Sequence, residues 1–172
     1  MFRFLVGVVM TMTTATKLLA CEAVLPDHVR ILDCRLAAAV ANAAGRSAVL
    51  NDLLEHVQRT NGLIYVTPPP VIGPAKDLLG GLSHDISVAG SFRVLRIFLP
   101  GKRDDAAMAI VGHELRHALE VLETSATTRA EVDALYDRIG WSTSERSVET
   151  QAALDSQYTI ERELRASKIA PR

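Results

Sequence analysis

His113, Glu114 and His117 stand in the order H-E-x-x-H within Ile110-Val-Gly-His-Glu-Leu-Arg-His-Ala-Leu-Glu120. Histidines four apart on a helix lie one above the other on a single face. That spacing presents two imidazole nitrogens to one tetrahedral zinc ion, with Glu114 within reach of a water on the metal's open position. The chemistry implied is hydrolysis of a peptide bond. Glu114 takes the proton of the zinc-held water and passes it to the leaving amine.

A catalytic zinc takes three protein ligands and a water, so the pattern requires a third group. Downstream carboxylates are Glu120, Glu123, Glu131, Asp133, Glu149 and Asp155. Glu120 and Glu123 continue the motif helix about two turns beyond His113, at ~5.4 Å per turn, too far to close a tetrahedron with both histidines. Glu120 is instead placed to orient His117 from behind. Glu131 and Asp133 fall on a charged stretch. Glu149 has the better case, because it is expected in the first turn of a new helix beside Ala152 and Ala153, where small residues permit close packing across the motif helix.

Those groups need a rigid carrier. Ala107, Met108, Val111, Leu115, Leu119 and Leu122 recur at helical spacing and would bury the face opposite the motif. The competing reading is a solvated surface helix whose His and Glu side chains pair with Arg116 and with one another. Arg116 is itself charged, where the zinc-protease signature usually carries an uncharged residue.

Around the motif helix the chain reads as α+β. Asp27 is placed to cap a helix through Val29, Leu32, Leu36, Ala39, Val40 and Ala43 that stops at Gly45, and Ser47 to cap a second through Leu50, Leu53, Leu54 and Val57. His56 beside that stripe reads as a core-edge side chain, not a ligand. Leu63 to Val66 is a strand ended by Thr67-Pro-Pro-Pro70, and Leu82 to Val88 and Phe92 to Leu99 form a hairpin turned at Ala89-Gly90-Ser91. Asp104 or Asp105 caps the motif helix. Beyond it come a polar break from Thr124 to Arg129, a short helix from Ala130 to Ile139 and a loop from Ser142 to Ser147. A last helix runs from about Val148 to Ala166, capped by Ser147, with Ala152, Tyr158 and Leu164 inward. Ser167 to Arg172 are expected to fray.

The 172 residues suffice for one domain with its own core. A net charge of -1 without a Lys/Arg cluster gives no footprint for nucleic acid or an anionic membrane surface. The N-terminus has Arg3 before an apolar run and small residues near its end, so residues 1-23 read as a secretory signal peptide and the expected location is periplasmic or secreted. Leu18-Leu19-Ala20-Cys21 also resembles a lipoprotein cleavage box, giving a lipid anchor at Cys21 as the alternative; Lys17 sits where that signal normally excludes charge. No span is expected in the mature chain. Export would permit a Cys21 to Cys34 disulfide, and lipidation would forbid it.

The order Gly112 to Val121, then Leu135 to Gly140, then Val148 to Ala153 resembles a group of uncharacterised bacterial zinc-metalloprotease-like proteins. They lie on the gluzincin side of the zincins, whose third ligand is a glutamate on a later helix. The likeness extends to Leu63 to Val66 and Phe92 to Leu99. It implies a zincin-like metallopeptidase domain over residues 24-172, zinc on His113, His117 and Glu149, Glu114 as general base, and a peptide or protein substrate. Of the side chains able to donate to the oxyanion, Tyr136, Tyr158, Arg138 and His84, the resemblance favours Tyr136. It also implies that the strand beside the motif helix, here Phe92 to Leu99, pairs edge-on with extended peptide. The alternatives are an exported zinc-binding structural or interaction module without turnover, and a metal-free helical interaction protein.

Overall fold

The computed structural model describes residues 25-69, 80-144 and 147-169. The signal peptide expected over residues 1-23 and the alternatives that rest on Cys21 fall outside the described residues. Among the described residues no helix is long and apolar enough to cross a membrane.

The chain is a small mixed α+β domain. Strand β1 (Val29–Ile31) is followed by helices α1 (Cys34–Ala44) and α2 (Ala48–Gln58) and by β2 (Gly62–Thr67). Short strands β3 (Gly81–Leu82) and β4 (Ser87–Ala89) precede β5 (Phe92–Phe98) and the motif helix α3 (Asp105–Leu122). Helix α4 (Arg129–Ile139), a hairpin of β6 (Trp141–Ser144) and β7 (Ser147–Glu149), and helix α5 (Gln151–Ile169) complete it. The main sheet is ordered β1-β2-β5-β3, parallel from β1 to β5, with β3 and β4 both antiparallel to β5.

Several boundaries differ from the sequence expectation, each for a local reason. Asp27 does not start a helix. Val29-Arg-Ile31 alternates as a strand and pairs with Ile64 to Val66, while Asp33 caps α1 by accepting from the amides of Arg35 and Leu36. The hairpin expected from Leu82 is broken into β3 and β4, the second turning into β5 at Gly90, whose φ of 62° suits glycine. The loop expected from Ser142 to Ser147 is the β6-β7 hairpin. Ser147 therefore does not cap the last helix. Thr150 does, its hydroxyl accepting from the Ala153 amide, and Glu149 is the final residue of β7 and not part of a helical first turn. Tyr158, expected inward, is 61% exposed, whereas Leu164 is fully buried. Helix α5 continues through Ser167 to Ile169, with the Ser167 hydroxyl bonded to the Leu164 carbonyl.

Ser47 caps α2 as expected, and of the two aspartates expected for α3 it is Asp104 that caps it, through bonds to the amides of Leu50 and Ala107. The α3 helix is the hub. It packs on α5, α2, α1 and the sheet, and it is buried nearly all round, including His113, Glu114, His117 and Glu120. Burial of these groups excludes the solvated-helix alternative. Two features fix the hub. The buried Arg93 of β5 donates to the carbonyls of Val121, Leu122, Thr124 and Ala126, tying the orphan carbonyls at the end of α3 to the sheet. At its middle, Gly112 faces Ile160 of α5, whose Cδ1 occupies the space a β-carbon would need. The missing side chain is what lets α5 cross α3 so closely.

Candidate metal centre

Helix α3 aims the two histidines at one point. Their rings lie 4.8 Å apart between centroids at 77°. Into that point the β7 strand delivers Glu149, whose Oε1 is 3.3 Å from Nε2 of His113 and 3.3 Å from Nε2 of His117. The three residues lie close enough to bind a metal ion. Glu149 reaches them because the hairpin folds tightly against the end of α4. A β-carbon on Gly140 would come within 2.6 Å of Val148 Cγ1 and 2.8 Å of the Glu149 carbonyl, so only glycine admits that approach.

Behind the donors stands a supporting layer. Glu120 Oε2 is 3.0 Å from Nδ1 of His117, and Glu120 Oε1 accepts a 2.7 Å bond from the Thr150 hydroxyl. One carboxylate thus links the histidine on α3 to the cap of α5, next in sequence to Glu149. Sequence reasoning placed Glu120 correctly and missed Thr150. The signal was present, since threonine three residues before a helical amide is an ordinary capping position. No carboxylate backs His113 in this way; Gln157 is the side chain beside it, and Nδ1 of His113 is buried without a well-formed hydrogen bond among the described residues.

The charges are distributed unevenly. Burial pushes the Glu114 carboxyl up to about 7, an effect only partly offset by His117 and by a backbone hydrogen bond from Leu82. Burial works against the charged form of His117 as well, but the Glu120 hydrogen bond and the carboxylates of Glu114 and Glu149 outweigh it, and its pKa is raised. His113 goes the other way, lowered by burial and then by the neighbouring His117. A neutral imidazole at His113 and a carboxyl poised near neutrality at Glu114 suit a ligand and a proton carrier respectively.

The remaining expected residues are scattered. Tyr136 is buried on α4, its ring 5.5 Å from that of His117, and its hydroxyl donates to the His117 carbonyl. Burial, then Glu120 and Glu114, hold that hydroxyl far above the ordinary phenol value. His84 stacks on Tyr136 and has Nδ1 2.6 Å from Asp133 Oδ1. Tyr158 and Arg138 are exposed. Of the alternative ligands, Glu131 is used in the capping box of α4, Asp133 pairs with His84, and Asp155 accepts from Gln151. Glu123 pairs with Arg116 on the surface. The strand expected to offer a free edge, Phe92–Phe98, is interior to the sheet, flanked by β2 on one side and β3 and β4 on the other. Compared with known protein families, with curated proteins and with solved structures, the chain finds no match in any of the three.

Proposed function

We propose that this chain is a zinc metallopeptidase of zincin-like design, in which His113, His117 and Glu149 hold the metal and Glu114 is the general base. The observation that carries the reading is the convergence of one carboxylate oxygen from β7 on two histidine nitrogens from α3, each at 3.3 Å. Donors about 2.0 to 2.1 Å from a tetrahedral zinc lie about 3.3 Å from one another, so the donor set fits that ion in both type and separation. When bound, zinc supplies Lewis acidity to a water and to the scissile carbonyl.

The chain's own residues supply the rest. Glu114, buried next to the donors with its carboxyl raised to about 7, accepts a proton from the attacking water and releases it to the leaving amine. Glu120 holds His117 through Nδ1 and directs Nε2 toward Glu149. Tyr136 braces the same residue, and with its hydroxyl given to the His117 carbonyl it is a support and not a free donor. His84 is the side chain left to donate to a developing oxyanion, Nδ1 being engaged by Asp133. Extended peptide would add at β3, an edge strand whose Leu82 backbone bonds to Glu114. The resemblance of the leader to a secretory signal supports the same action outside the cytoplasm, on a peptide or protein substrate.

The test is zinc content of the purified chain and of His113→Ala and Glu149→Ala. About one zinc per chain in the native protein, lost with His113 and strongly weakened with Glu149, is expected. Native protein that holds no zinc would refute the reading. Zinc held without peptide hydrolysis, and no functional change in Glu114→Gln, would leave a zinc-binding structural or interaction module instead.

A further inference from the structure

Trp141 is the single tryptophan of the chain and is 44% exposed. Strand register pairs it with Glu149 across the β6-β7 hairpin. Residues directly opposite in an antiparallel ladder project from the same face, with β-carbons about 4.5 to 5.5 Å apart. Glu149 turns its carboxylate to His113 and His117. The indole therefore projects from the same face of the hairpin as Glu149, whose carboxylate meets the two histidines. Gly140, immediately before it, pins that hairpin against α4 and fixes where the indole stands.

Leaving a large indole half in water forgoes apolar burial, and Trp141 makes no ring contact or hydrogen bond with the described residues that would explain it. A half-exposed indole on the face of the hairpin that carries Glu149 offers a ring against which a substrate side chain can lie. An indole face favours aromatic and aliphatic groups through area and ring stacking. The negative face of the ring gives an acidic side chain no such gain.

We infer that Trp141 walls a side-chain subsite beside the metal donors and selects an apolar, preferably aromatic, residue of the peptide next to the bond that is cut. This rests on the peptidase reading and deepens it by naming the class of side chain. Amino-acid hydroxamates separate the two claims, because the hydroxamate group anchors on the metal and leaves only the side chain to vary.

The experiment is calorimetric titration of the zinc-loaded chain with glycine, L-phenylalanine and L-glutamate hydroxamates, together with tryptophan emission. Phenylalanine hydroxamate should bind about tenfold more tightly than glycine hydroxamate, glutamate hydroxamate no better than glycine, and only the phenylalanine compound should shift the emission. In Trp141→Ala the preference should fall below about twofold while glycine hydroxamate affinity is unchanged, and Trp141→Phe should keep most of it. The Phe variant guards against a hairpin displaced by the Ala variant. A preference unaltered in Trp141→Ala, or emission unmoved while phenylalanine hydroxamate is bound, would overturn the subsite and leave the metal reading standing. Binding of none of the three would overturn the metal reading and the subsite with it.

Discussion

Gly112→Ala should destabilise the protein in its native setting and stabilise it once a single methyl group is removed across the α3-α5 contact. A β-carbon added at Gly112 would overlap Ile160 Cδ1, while its next neighbours, Ile160 Cγ1 and Leu50 Cδ1, lie at 3.5 and 3.6 Å, ordinary contact distances. Ile160 is fully buried, so its Cδ1 has no solvent-side space to retreat into. Two effects oppose one another. Alanine is favoured over glycine in a helix interior by about 1 kcal/mol. Overpacking a filled core costs about 1 to 3 kcal/mol. The difference predicts a net loss of about 1 kcal/mol for Gly112→Ala alone. In Ile160→Val, which by itself costs about 0.5 to 1.5 kcal/mol, the obstructing atom is gone and the propensity gain of about 1 kcal/mol should emerge. The four proteins form a double-mutant cycle with a coupling of about 2 kcal/mol, read by urea unfolding in the presence of chelator so that metal linkage does not contribute. Gly112→Ala with the same effect in both backgrounds would refute the close crossing of α3 and α5. So would stabilisation by the full propensity term in the native background.

Glu120→Gln keeps the size of the side chain and removes the charge that faces His117 Nδ1 at 3.0 Å. Zinc affinity measured by chelator competition should fall about 10- to 100-fold, and an unchanged affinity would remove Glu120 from the metal centre. Asp105 is held down at about 2 by hydrogen bonds from Arg46 and then Lys168. Because its folded pKa lies below its unfolded value near 3.8, its contribution is present above that value and disappears as pH falls through about 2. The full shift would be about 2.4 kcal/mol. Lys168 is mostly exposed, and screening reduces the contribution to roughly 1 kcal/mol. Asp105→Asn should therefore lose about that much stability at pH 7 in low salt, and the gap should close between pH 4 and pH 2; a gap independent of pH would show that the ion pairs contribute nothing.

What was legible beforehand was whatever depends on short-range spacing. His113, Glu114 and His117 are positions of one helix, so its period stacks the two histidines and sets Glu114 beside them without further information. Ser47 and Asp104 act on amides three residues away, and the caps of α2 and α3 could be read for the same reason. Errors arose where a local pattern admitted two readings. Val29 to Ile31 fits both a helical stripe and a strand, and the neighbouring β2 decides, because a backbone already extended beside it offers three paired positions. Ser147 was the cap expected for the last helix; pairing of Ser147 to Val148 with β6 removes it and leaves the unread Thr150 in that place.

The sequence by itself determined that two histidines share a helical face with a glutamate next to the first, that Asp104 or Asp105 caps their helix, and that Glu149 was the favoured partner among the downstream carboxylates. Which carboxylate, and by what route, was decided by the tertiary structure. Glu149 arrives on a strand, not on a helix, carried by a hairpin that a glycine at 140 lets fold against α4, and held next to Thr150, whose hydroxyl meets Glu120. The physical reason is range. Helical periodicity acts over four residues and is written into the chain, whereas the meeting of residue 149 with residues 113 and 117 depends on how α3, α4 and α5 close-pack around one buried core. Trp141 illustrates the same division, its type plain in the sequence and its place opposite Glu149 set only by the register of β6 on β7.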